Sequence, residues 1–177
     1  MQPSDVLDFW REAGPQRWFR KDEAFDADFR SRFLALHEAA ARGELDAWRD
    51  TPDGALALLI LLDQFPRNAF RGTARMYATD AAAREVARAA VDSGFDVLAS
   101  PELRPFFYLP FMHSERLEDL DRCVELSKAV GGEHHKYAVH HRGIIERFGR
   151  FPHRNAVLGR KSTPEEERFL AEGGFGG

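Results

Sequence analysis

The chain has 177 residues, a length at which one core buries about 70% of the unfolded surface, so a single helical domain over 1–177 is expected. Apolar residues at 44% and charged residues at 31% exclude a disordered chain, and the formal net charge of −4 argues against a general nucleic-acid binder, which needs a basic face. The lone Cys123 cannot form an internal disulfide, Asp5 and Asp8 stand where a signal peptide is basic and then apolar, and the longest apolar stretch, Ala55 to Leu62, falls far short of the roughly 20 residues a bilayer demands. A cytoplasmic protein with neither a membrane nor a nucleic-acid partner is expected.

Apolar residues recur at helical spacing along most of the chain and predict about eight helices in an all-α fold. The first, near 4–12, opens at Ser4-Asp5. The second, over 23–42, carries Phe25, Phe29, Phe33, Leu36 and Ala40 on one face and stops at Gly43. Thr51-Pro52 supplies a cap and a first-turn proline for a helix over 52–64. Thr79-Asp80 and Ser100-Pro101 start helices over 79–92 and 101–111, and Ser114-Glu115 starts one over 115–130, with Leu117, Leu120, Val124, Ser127 and Val130 along one face. Tyr137, His141, Ile145 and Phe148 define a helix over 133–148. Thr163-Pro164, with Glu166 three residues after the threonine, makes a capping box for a helix over 164–171. No stretch alternates as a strand does. The fifteen Phe and three Trp are explained by helix packing.

Two corners share a pattern that helical period does not produce. Phe65-Pro66-Arg67-Asn68-Ala69 leads to Gly72, and Phe151-Pro152-His153-Arg154-Asn155-Ala156 leads to Gly159; in both, Arg precedes Asn-Ala and Gly follows the Asn by four residues. Proline ending a helix, Asn turning the chain and Gly closing the turn account for those three residues and not for the repeated Arg. Asp63 closes an apolar helix at its negative dipole end and therefore requires a cation, for which Arg67, Arg71 and Arg154 are the candidates in a structural ion pair. Between Arg142 and Lys161 six cations face Glu146 alone, a local field that draws anions.

Six of the seven histidines lie between His113 and His153. Their spacing fits no zinc pattern, although His134 and His141, seven apart on one helical face, could share a ligand with His113 or Glu115; no metal is expected. His141 shares its face with apolar residues and reads as a core histidine held by a hydrogen bond. His113, just ahead of a helix start, would be a neutral imidazole beside an anion site and could act as a general base. Cys123 reads as a small core residue and Ser114 as a cap, and there is no phosphate loop, nucleophile elbow or dinucleotide fingerprint.

The runs Leu62-Asp63-Gln64-Phe65-Pro66-Arg67-Asn68, Tyr108-Leu109-Pro110-Phe111-Met112-His113-Ser114-Glu115 and Arg147-Phe148-Gly149-Arg150-Phe151-Pro152-His153-Arg154-Asn155 resemble signatures of the bacterial family catalogued as domain of unknown function 924. The resemblance runs from Val6-Leu7-Asp8-Phe9-Trp10 to Thr163-Pro164-Glu165-Glu166. It implies antiparallel helix pairs stacked in a curved, tetratricopeptide-like array, although the sequence itself shows no 34-residue period. The family supplies no catalytic residues to carry over.

These residues lead to a binding module for an acidic small molecule or peptide, with Arg67, Asn68, His113, His141, Arg150, His153 and Arg154 as ligand-binding candidates and no cofactor. The alternative is a small hydrolase or transferase acting on a phosphorylated or carboxylated substrate, with His113 or His141 as base. Whether the chain is an enzyme is left open by its sequence.

Overall fold

Helix starts set the frame, and two are built as their sequences require. In the computed structural model, which describes residues 1–176, the Thr51 hydroxyl accepts from the Gly54 N–H at 3.2 Å, and Thr163 and Glu166 form a reciprocal capping box. The secondary structure of the described residues is helical throughout, without a strand. In chain order the α-helices are α1 (Pro3–Ala13), α2 (Pro15–Trp18), α3 (Glu23–Ala41), α4 (Pro52–Leu59), α5 (Phe65–Ala69), α6 (Asp80–Asp92), α7 (Leu109–Met112), α8 (Leu117–Ser127), α9 (Gly132–Phe148) and α10 (Pro164–Ala171). No helix among them is long and apolar enough to cross a membrane. The described residues divide into two compact units, one of residues 1–71 and 75–110, the other of 72–74 and 111–176.

The first unit is organised by aromatic rings. Phe25, Phe29 and Phe33 repeat every four residues on α3, and each ring packs on Phe9 of α1 with centroids 5.1–5.4 Å apart. Such pairs add about 0.5–1.5 kcal/mol each beyond the area they bury. Trp10 stacks on Trp18 and its carbonyl accepts the Trp18 indole N–H at 2.6 Å, which fixes α2 against α1.

The helix expected over 52–64 does not stop at Pro66. Between α4 and α5 lies a π-helical turn, Ile60–Gln64, in which the Phe65 N–H bonds the Ile60 carbonyl five residues back. That shift leaves the Leu61 carbonyl without its usual donor, and Pro66 has no N–H to give Leu62. Side chains satisfy both: His37 Nδ1–H donates to Leu61 O at 2.8 Å and the Thr79 hydroxyl to Leu62 O at 2.5 Å. Arg67 completes the set by donating to Asp63 O at 2.8 Å. Pro66 thus sits inside a continuous helical run.

Three other expectations are corrected. Residues 101–111 form a turn, a 3₁₀ segment (Arg104–Phe107) and the one-turn α7, because Pro105 and Pro110 remove the donors a longer helix needs. Thr79 does not cap α6, its hydroxyl being spent on Leu62 O. Ser114 does not cap α8, which begins at Leu117; its hydroxyl donates to Asp119 at 2.7 Å and accepts from the Arg116 N–H.

In the second unit α8 packs along α9 over a core of Leu120, Ile144, Ile145 and Phe151, against which Phe148, Phe169 and Phe175 lie half-buried. Cys123 is buried and its thiol is pushed up to about 12 by burial, so it is an inert core residue. Tyr137 is 52% exposed and stands outside the core its spacing suggested.

Candidate functional site

The first corner is a closed electrostatic unit. Asp63 is 1% exposed and lies 3.3 Å from Arg67, whose guanidinium also grips Asp80 with two bonds of 2.9 and 3.1 Å. Burial works against the charge on Arg67, but Asp63 and Asp80 more than offset it and raise the guanidinium's proton affinity. Asn68 donates to Asp26 at 2.7 Å, and Arg71 pairs with the same carboxylate at 2.6 Å. Of the sequence-predicted residues, Arg67 and Asn68 therefore serve the scaffold of the first unit, together with Asp63.

The other five belong to the second unit. Arg150 forms a double bond pair with buried Glu166 at 2.6 and 2.8 Å and donates to Lys161 O. That guanidinium, helped by the Thr163 N–H and Asn155, holds the Glu166 carboxyl at about 2 despite its burial. Glu115 receives two bonds from Arg160, at 2.7 and 2.9 Å, and one from the Phe151 N–H. Burial pushes its carboxyl up, but these donors and the charge of Arg154 pull it below the ordinary range.

His113, His141, His153 and Arg154 remain, and the fold gathers them. The 3₁₀ turn at Pro152–Arg154 places His153 and Arg154 after the core residue Phe151. Arg154, 6% exposed, donates to the His113 carbonyl at 2.9 Å and lies over the Phe151 ring at 4.5 Å. His113 lies within electrostatic reach of His134, His141 and His153.

Each of the last three rings is held neutral at physiological pH. Burial lowers His141 to about 3, with His113, His140 and Arg154 adding to the effect, while its Nδ1–H bond to Tyr137 O at 2.8 Å opposes it. Burial likewise takes His134 to about 4, assisted by His113 and His135, and His153 to about 4, assisted chiefly by Arg154. His153 Nδ1 is buried and has no hydrogen-bond partner among the described residues. An unsatisfied buried ring nitrogen costs about 1–3 kcal/mol. No group of three His, Cys, Asp or Glu side chains among the described residues is placed to hold a metal ion.

Sequence reasoning missed Phe175. Its ring packs on His141 at 4.5 Å, His153 at 5.1 Å, His140 at 5.9 Å and Phe151 at 6.5 Å. The available signal was the Gly173-Gly174 pair following α10. Gly173 takes a φ of +81°, and the Gly174 N–H bonds Phe169 O at 2.8 Å, a helix ending that folds the next residue back on the unit. A cavity of 340 Å³ in the first unit is lined in part by Glu12, Asp22 and Asp28 against Arg17 and Arg32, an acidic balance unsuited to an anion.

The model of a bacterial family described as a protein of unknown function, DUF924, matches residues 6–174. A solved structure, that of the protein of unknown function ATU0120 from Agrobacterium tumefaciens, is similar with 53% identity and a TM-score of 0.94 over 96% of this chain and 97% of that one. No curated protein matches the chain.

Proposed function

The chain belongs to the bacterial DUF924 family, whose description assigns no activity, and from the geometry of its second unit we propose that it is a cytoplasmic binding module for a small acid. The ligand's anionic group sits among His113, His153 and Arg154. His153 Nδ1 carries the argument: a buried ring nitrogen without a partner is a group that a ligand oxygen would satisfy. A guanidinium next in sequence supplies the charge, and the neutral His153 ring can donate to an anion through Nδ1. Glu115 and Glu166, the acids that could compete, are engaged by Arg160 and Arg150.

The hydrolase reading draws less support. A base held at about 3, as His141 is, takes up a proton at neutral pH with little driving force. Thermal shift with propanoate, succinate and inorganic phosphate tests the binding reading, since a ligand at a hundred times its Kd stabilises by about 2.7 kcal/mol. At least one acid should raise the melting temperature of the wild type and leave His153→Ala unmoved. A shift that survives in His153→Ala, or none with any acid, rejects it.

A further inference from the structure

Phe175 reaches the site by a local device. After α10 the Gly173 N–H bonds Leu170 O at 3.3 Å and the Gly174 N–H bonds Phe169 O at 2.8 Å, the paired bonds of a helix ending that reverses the chain. Gly173 supplies the left-handed conformation at φ +81°. Gly174 is required for a different reason, because a Cβ there would run into the Phe169 carbonyl and ring. The reversal lays the Phe175 ring edge-to-face on His141 and His153, interplanar angles 63° and 85°. His153, which bears the unpartnered nitrogen, belongs to the proposed acid site, and His141 packs against the same ring.

The ring delivered by this glycine-flanked segment is half-buried against an aromatic cluster beside a cation and a hydrogen-bonding imidazole. The cluster is Phe151, His141 and His153, with Arg154 over the Phe151 ring. Rings arranged to hold a phenyl group of their own chain edge-to-face can hold the same group of a ligand, a geometry that favours flat rings. We infer that Phe175 stands where the ligand's own ring binds, so that the acid recognised is an aryl-bearing carboxylate whose ring displaces Phe175 while its carboxylate meets His153 and Arg154. This rests on the binding reading above and adds the ligand class to it.

Displacement has a measurable consequence. A site nine-tenths occupied by its own ring weakens a competing ligand roughly tenfold, because only the open fraction binds. Calorimetric titration with 3-phenylpropanoate and with propanoate, in the wild type, Phe175→Ala and Gly174→Ala, reads it. Phe175→Ala removes the competitor, whereas Gly174→Ala retains the ring and disrupts the turn that delivers it, so a folding defect in one variant leaves the other informative. The expected result is that both variants bind 3-phenylpropanoate roughly tenfold more tightly than the wild type while propanoate changes little. If propanoate binds through His153 in all three proteins and 3-phenylpropanoate gains nothing, the aryl class is wrong and the acid site stands. Equal gains for both acids would make Phe175 a steric cover and not a stand-in, which also overturns the inference. Binding of neither acid to any of the proteins removes the site itself.

Discussion

The two Phe-Pro corners share a sequence pattern and differ in what their arginines face. At the first, Arg67 is clamped between Asp63 and Asp80 and donates to a carbonyl of the π-helical turn. At the second, Arg154 donates to the His113 carbonyl, lies over the face of Phe151 and acts on the Glu115 carboxylate, among rings that burial keeps uncharged, while Arg150 and Arg160 bond the nearby carboxylates directly. The Asn residues keep parallel roles, Asn68 donating to Asp26 and Asn155 to Glu166. A short motif thus fixes the turn and the Asn anchor. The electrostatic use of the Arg is set by residues distant in sequence, Asp80 for one corner and the histidines of α9 for the other.

That contrast breaks most directly at Arg67. Replacing it with Ala leaves two buried carboxylates without their shared cation, and losses of about 3–5 kcal/mol follow from removing one member of a buried pair. Urea denaturation should show a midpoint that falls accordingly. A nearly unchanged midpoint would mean that Asp63 and Asp80 are neutralised elsewhere. Thr79→Val sharpens the comparison with a smaller effect, because it strands the Leu62 carbonyl that Pro66 cannot serve. The expected loss is about 1–3 kcal/mol by the same measurement, and a neutral result would show that water or a backbone shift meets the carbonyl.

What the sequence revealed and what it hid divide along the same line. The caps at Thr51 and Thr163 and the ring face Phe25, Phe29, Phe33 were legible because each depends on neighbours three or four residues away. The π turn was not. Ala55 to Leu62 is apolar all round, so a change of helical period inside it alters no pattern, and the donors that make it tolerable, His37 and Thr79, lie 24 and 17 residues off. Asp63 beside Arg67 could be expected from charge alone, whereas Asp80, which takes the two short bonds, could not. The histidine density of the second unit was plain in the sequence. Its cover was not, since Phe175 meets α9 only after the Gly173-Gly174 reversal.

The smallest predicted effect concerns pH, and it separates a corner built on permanent charge from one built on buried imidazole. His141 titrates at about 3 in the folded protein and near its ordinary 6.5 when unfolded. Between those values the unfolded chain binds a proton that the folded chain refuses, so stability is full above 6.5 and falls as the pH drops toward 3. His134 and His153, lowered to about 4, act in the same direction over the upper part of that window. Each such group changes the unfolding free energy by up to about 1.4 kcal/mol per pH unit. Carboxylates would blur the measurement lower down, Glu166 losing its contribution as the pH falls from 4.5 toward about 2, so the informative range is pH 7 to 5. His141→Gln, which cannot titrate, should flatten the stability profile there by close to one proton's slope. Arg67→Ala should lower the whole curve. A His141→Gln profile parallel to the wild type would mean that the ring already takes up its proton in the folded state, and that the second corner, like the first, is organised around permanent charge.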